Sequence, residues 1–277
     1  MTTAIIGGTG LERLSPEYRA ETQTVDTPFG RAAVVRASLD TQDLIFLSRH
    51  GETHGLAPHL INYRANIAAL VQLGVTRVLA TNAVGSLRLD LLPGSLVLLS
   101  DFIDFTRRRP LSYFDPPEAV ASDQSSVISD QSSVISHHSP LTPSVIHTDF
   151  SEPYCRELRA TVEEAAVGLD IDLLPRGTYL CADGPRFETP AEIALFAQWG
   201  ADVVGMTGLP EAVFAREAGL CYAAVAIVTN FAAGLTPHPV DHNEVVARVA
   251  QDVDRVRGLL LAALERVPGE RACGCRG

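Results

Sequence analysis

Short apolar runs alternate with amphipathic stretches along this chain. Residues 3–6, 32–37, 44–47, 75–80, 178–182, 201–206 and 222–229 are apolar and of strand length, the last nearly continuous, as expected of strands buried on both faces. Between them, residues 62–73 place Ile67, Leu70, Val71 and Leu73 at helical spacing and stop at Gly74. Residues 154–167 are amphipathic, and residues 243–267 set Val246, Val249, Val253, Val256 and Leu260 on one stripe, which predicts a long core-facing helix. Strand–helix alternation of this kind predicts a mostly parallel sheet in one α/β domain over residues 1–267.

The densest segment is 183–211, DGPRFETPAEIALFAQWGADVVGMTGLPE. Gly184 and Pro185 predict a turn after the strand at 178–182. Thr189 with Glu192 three residues on predicts a capping box that opens a helix through Ala197. Met206 and Thr207 close the next strand, and Pro210 opens another helix. Phe187, Glu188, Met206 and Thr207 therefore all fall at strand ends, where ligands bind in open α/β sheets.

Charge and composition narrow the partners. The formal net charge of -11 argues against nucleic acid or an anionic membrane surface. The sequence contains no lysine, which excludes a Schiff-base or P-loop lysine. No signal-like start or membrane-length apolar run occurs, so a cytoplasmic protein is expected. Five cysteines scattered through apolar segments do not suggest a secreted disulfide framework. Cys155, Cys181 and Cys221 read as small buried hydrophobes, and Cys273 and Cys275 fall in a C-x-C tail, 268–277, where chain ends fray. His50, His54 and His59 are separated by Gly51, Gly55 and Pro58 with no completing acid or cysteine, so no metal is expected.

Gly7-Gly8-Thr9-Gly10 ends the first strand and suits close backbone approach to an anion. It is not a dinucleotide fingerprint, because Arg13 stands where the third glycine belongs and Ser15-Pro16 cuts off the helix. Residues 122–128 and 129–135 repeat SDQSSVI, and with prolines on both sides the stretch 120–140 reads as a low-complexity loop insertion.

GGTG at 7–10, DTPFG at 26–30, SRHG at 48–51, NYRANI at 62–67, TNAVGSL at 81–87, GPRFE at 184–188 and the GMTGLPE stretch run in one order along the chain. Together they resemble the trimeric purine nucleoside phosphorylase and methylthioadenosine phosphorylase family. The resemblance implies a single α/β domain with a mixed twisted sheet flanked by helices, a homotrimer, phosphate as co-substrate and no cofactor. It implies a phosphate clamp of Thr9, Arg49, His50, Asn82, Ala83 and Thr207, with Arg49 as a guanidinium fork. It places Phe187 against the base and Met206 under the ribose. Some thermostable members carry a terminal C-x-C that can form a disulfide.

The base site selects the substrate. Members that act on 6-amino purines carry aspartates where Asn230 and Ala232 stand here. An amide at 230 and no acid at 232 suit a 6-oxo base, since Asn230 can donate as charge builds on the leaving group. Glu188, ionised, accepts the N1–H that hypoxanthine and guanine carry. Asn230, Glu188 and His50 are thus the expected catalytic groups in phosphate-dependent cleavage of inosine or guanosine. His242 resembles the histidine that meets the ribose 5′-hydroxyl, although residues 233–241 depart from both subfamilies. S-methyl-5′-thioinosine and S-methyl-5′-thioadenosine phosphorylases are the alternatives. SRHGET at 48–53 also resembles the phospho-histidine phosphatase signature, which lacks its second His-Gly here.

Overall fold

The computed structural model describes residues 2–8, 11, 18–39, 42–51, 55–115 and 146–275, with backbone only at 39, 42, 43 and 242. The SDQSSVI repeat and the insertion 120–140 lie outside the described residues, as do Thr9 and His54. Nine strands make one sheet: β1 (Thr2–Gly7), β2 (Arg19–Thr27), β3 (Gly30–Leu39), β4 (Gln42–Ser48), β5 (Val75–Ser86), β6 (Leu96–Asp104), β7 (Leu173–Cys181), β8 (Val203–Gly205) and β9 (Cys221–Phe231). The helices are α1 (Tyr63–Gln72), α2 (Arg156–Gly168), α3 (Pro190–Gln198), α4 (Glu211–Glu217) and α5 (His242–Glu265).

Strand order is β2-β3-β4-β1-β5-β8-β7-β6-β9, and β9 returns to pair with β5, so the last five strands close on themselves. The sheet is mixed rather than mostly parallel. β1 runs parallel to β4 and β5, but β2, β3 and β4 pair antiparallel. Thr27 pairs with Gly30, and the two residues between them are too few for a parallel crossover. β8 is antiparallel to β5, and β6 is antiparallel to β9.

Side chains of the central strands alternate between two cores. On β1, Ala4 and Ile6 face one side and Ile5 the other; on β9, Tyr222, Ala224, Ala226 and Val228 oppose Cys221, Ala223, Val225 and Ile227. The first core is covered by α1 and α4 through Ile67, Leu70, Ala212 and Phe214, the second by α2 and α5 through Leu158, Val162, Leu259 and Leu260. Apolar runs without alternation are thus strands buried on both faces. A third, smaller core joins Ile193 and Phe196 of α3 to Leu180, Val204 and Ala232.

Two expectations need correction. The α5 stripe begins one residue sooner than expected: Val249, Val256 and Leu260 are buried, but Val246 is 45% exposed and Val245 is buried in its place. The interval from 246 to 249 places Val246 on the outer edge of that face, and Val245 takes the inward position four residues before Val249. The tail beyond α5 is also ordered against the body. Arg77 on β5, fully buried, donates to the carbonyls of Pro268 (2.8 Å) and Glu270 (3.1 Å), and Arg271 donates to Gly219 O at 2.8 Å.

Candidate active site

The site arises where β5 changes neighbours. β1 flanks β5 as far as Ala80, and β8 takes over at Gly85. Residues 81–84 therefore have an unpaired edge on that side, a place where backbone polar groups and side chains can meet a ligand. A cavity of about 390 Å³ opens there, within the range typical of small-molecule sites. It is lined by Gly8 and His50, by Ala83, Val84 and Gly85 of β5, by Phe187, Glu188, Met206 and Thr207, by Thr229, Asn230 and Ala232, and by Val240 just before α5 and Val245 within it.

At the β1 end, Gly8 N–H donates to Thr81 Oγ1 at 3.0 Å. A Cβ on Gly8 would stand 2.8 Å from Arg49 Nη1 and 2.9 Å from Thr81 O, so glycine lets the guanidinium lie directly behind the loop. The Arg49 fork, expected to grip phosphate, is engaged within the protein. Its Nε and Nη2 donate to the two carboxylate oxygens of Glu211, each at 2.7 Å, and Nη1 donates to Thr81 O at 2.7 Å. Both side chains are fully buried, and a buried guanidinium without a counter-ion is strongly disfavoured. Burial alone lowers the Arg49 pKa, but the Glu211 charge and hydrogen bonds outweigh it and the net shift is upward. Tyr222 Oη donates to the same carboxylate at 2.8 Å. Three of the five guanidinium N–H groups are so engaged.

Thr207 is prepared as a donor. Asn82 Nδ2 donates to its Oγ1 at 3.1 Å, which occupies an acceptor site and leaves the hydroxyl proton for the cavity that Thr207 lines. The Tyr179 hydroxyl, buried beneath, accepts from Thr207 N–H and Gly208 N–H at 3.1 Å each and holds that turn. Gly208 packs on the Tyr179 ring, where a Cβ would meet carbon at 2.7 Å. His50 Nδ1 lies 2.8 Å from Leu56 O. A carbonyl only accepts, so Nδ1 carries a proton and the ring is oriented.

The loop between β7 and α3 holds an unusual carboxylate. Thr189 and Glu192 form the predicted capping box, and Arg186 clamps Glu192 at 2.7 and 2.8 Å. Glu192 is thereby consumed, whereas Glu188 Oε1 is buried and has no hydrogen-bond partner. Burial raises the Glu188 pKa, the cost expected of a carboxylate held for something not yet bound. Asn230 is framed by fixed groups: its Nδ2 donates to Phe231 O at 2.8 Å, and its Oδ1 lies 2.8 Å from Thr229 Oγ1. That frame favours an amide, because the Phe231 carbonyl would repel an ionised carboxylate. Arg109, buried, ties the loops together by donating to Asp183 O (2.9 Å), Met206 O (2.8 Å) and Leu209 O.

Of the residues expected from sequence, His50, Ala83, Phe187, Glu188, Met206, Thr207, Asn230 and Ala232 line one cavity. Asn82 stands behind it through Thr207, and Arg49 behind Gly8. Thr9 and the His242 side chain lie outside the described residues. Sequence reasoning missed Thr229, Arg109, Tyr179 and Glu211. Thr229 is adjacent to an expected residue, and Leu209-Pro210-Glu211, one glycine beyond Thr207, signals by itself only a helix start.

A mixed α/β sheet with a partly open, strand-end cavity lined by a hydroxyl, backbone groups, an amide and a carboxylate has the form of a small-molecule enzyme. A profile of the phosphorylase superfamily matches residues 2–265, and the chain belongs to that superfamily. It is 44% identical to the 6-oxopurine nucleoside phosphorylase of Pyrococcus furiosus, covering 99% of this chain and 96% of that one. It is 46% identical to a probable 6-oxopurine nucleoside phosphorylase of Thermococcus kodakarensis, covering 99% and 95%. The methylthioadenosine phosphorylase of Schistosoma mansoni in complex with tubercidin has the same fold, with a TM-score of 0.83 at 32% identity over 98% of this chain and 93% of that one. No helix among the described residues is long and apolar enough to cross a membrane.

Proposed function

We propose that the chain catalyses phosphate-dependent cleavage of 6-oxopurine nucleosides such as inosine and guanosine, giving the free base and α-ribose 1-phosphate. The observation that carries this reading is the buried, unpartnered Glu188 Oε1 in the cavity that Asn230 also lines. A 6-oxopurine presents N1–H to the carboxylate and an acceptor edge to the amide; adenine's N1 would oppose Glu188 with a second acceptor.

Phosphate enters beside Gly8, where Thr207 and the backbone near Ala83 offer donors, His50 Nε2 accepts from the O–H of hydrogen phosphate and Arg49 sits behind the glycine, with Thr9 as a further hydroxyl. Its oxygen attacks C1′ as the glycosidic bond breaks, with inversion. The bond electrons pass to the purine, which takes up the proton that phosphate gives up. Asn230 Nδ2 stabilises the departing base at N7 or O6, so the barrier falls by hydrogen bonding to developing charge rather than by a covalent intermediate. Phe187 stacks on the base and Met206 lies under the ribose. The working assembly is a homotrimer in the cytoplasm, and no cofactor is required.

A second reading rests on Val240 and Val245, which give the α5 side of the cavity an apolar wall. Such a wall accommodates a 5′-methylthio group as well as a 5′-hydroxyl. Incubating the enzyme with inosine, adenosine and their 5′-methylthio counterparts, each with and without phosphate, tests both. The proposal requires base release from inosine only when phosphate is present. Preference for methylthioinosine would establish the second reading, and preference for either 6-amino substrate would refute the Glu188 assignment.

A further inference from the structure

Four of the five cysteines meet on the side of the molecule away from the nucleoside cavity. Cys155 precedes α2, Cys221 opens β9, and Cys273 and Cys275 lie in the tail. Their sulfurs all fall within 4.8 Å of one another, with Cys221 and Cys273 at 3.2 Å. None of the four residues lines the nucleoside cavity. Cys181, the fifth, packs instead beside Tyr179 and Arg109.

The convergence is built, not a consequence of a loose chain end. Arg77 holds the tail by the carbonyls of Pro268 and Glu270. Ala272 N–H donates to Glu157 Oε2 at 2.8 Å, and Arg271 reaches Gly219 O just before Cys221. Cys155 N–H in turn donates to Tyr222 O at 2.8 Å, which locks the start of α2 to the start of β9. The result brings residues 155, 221, 273 and 275 together with Cys155, Cys221 and Cys275 buried.

We propose that these four thiols form a binding site for one thiophilic metal ion, with zinc(II) as the best fit. A tetrahedral zinc–thiolate site with bonds near 2.3 Å sets its sulfurs about 3.8 Å apart, a spacing bracketed by the 3.2 Å and 4.8 Å found here. Four like ligands from three separate segments are the donor set of a closed structural site rather than a catalytic one. Binding converts four thiols to thiolates and releases four protons, leaving a net charge of -2 on the ion with its ligands. Arg271 Nη1, 3.9 Å from Cys221 Sγ, offsets part of it. A second cavity, lined by Tyr154, Arg156, Arg216, Cys155, Cys273 and Cys275, gives the ion a route in. The ion would pin the tail to the starts of α2 and β9, and no local spacing announces the site because its ligands come from three separated segments.

The test uses the full chain, reduced, freed of metal by a chelator and titrated with cobalt(II) in the absence of air. One cobalt per chain is expected, with intense thiolate-to-metal charge-transfer bands and the visible absorption of tetrahedral coordination, both abolished by one equivalent of zinc. Cys273→Ser and Cys275→Ser, which alter only the tail, should each weaken binding more than about 100-fold, while Cys181→Ser leaves it unchanged. Zinc should raise the Tm of the wild type but not of Cys273→Ser. Absence of the charge-transfer bands, equal cobalt binding by the tail variants, or recovery of the four residues as two disulfides from protein purified without air would overturn the proposal.

Discussion

Glu211→Gln is the sharpest perturbation of the site's foundation. The wild-type carboxylate takes two 2.7 Å bonds from Arg49 and one 2.8 Å bond from Tyr222, with both charged side chains fully buried. The carboxamide keeps the shape and one acceptor but turns an N–H₂ toward a guanidinium N–H and removes the counter-charge. Arg49 cannot escape by losing its proton, since a guanidinium stays protonated in proteins. Removing one member of a buried ion pair costs about 3–5 kcal/mol, a large share of the roughly 5–15 kcal/mol that holds a domain together. Urea unfolding should show that loss, and the KM for phosphate should rise because Arg49 behind Gly8 loses its anchor. The double variant Arg49→Met, Glu211→Leu should recover much of the stability, since well-packed apolar pairs replace buried ion pairs at little cost, yet remain inactive with phosphate. A loss below about 1 kcal/mol in Glu211→Gln, or a double variant no more stable than the single one, would refute this account of the pair.

Glu188→Gln should lower kcat/KM for inosine by about 10- to 100-fold, the worth of one charge-assisted hydrogen bond, as read by base release. The same variant should raise the Tm at neutral pH. Burial lifts the folded-state pKa above the ordinary 4.5, so this group supports the fold below that value and ceases to as pH rises through the folded value; the gain should therefore vanish near pH 4. Asn230→Asp with Ala232→Asp should move preference from inosine toward adenosine, with unchanged selectivity counting against the base-site assignment. Gly8→Ala should cripple turnover and lower the Tm, because its Cβ would meet Arg49 Nη1 and Thr81 O; wild-type phosphate KM in that variant would show that the guanidinium plays no part near the anion.

What the sequence made legible was local. The Thr189 to Glu192 capping box, the Gly184 turn and the strand ends at Met206 and Asn230 are written within a few residues of each other, and the strand-end rule then brings Glu188 and Asn230 to one cavity. The Arg49 to Glu211 pair spans 162 positions and leaves no local signal, so the motif gave no hint of the buried ion pair. Similarly, the α5 stripe was readable as helix, but Val245 and Val246 are both valines, and only packing decides which turns inward. The tail misled for a related reason: chain ends usually fray, and nothing near Cys273 announces that Arg77, far upstream, holds it down.

The exchange of partners along β5 carries one more implication. A strand that borders β1 below and β8 above leaves a window four residues wide, and its frame belongs to the core rather than to any loop. Swapping the segments that carry Glu188, Asn230 or Val245 should redirect which nucleoside fits. Extending the β1 ladder past Ala80 would close the window and extinguish the chemistry with every recognition residue still present.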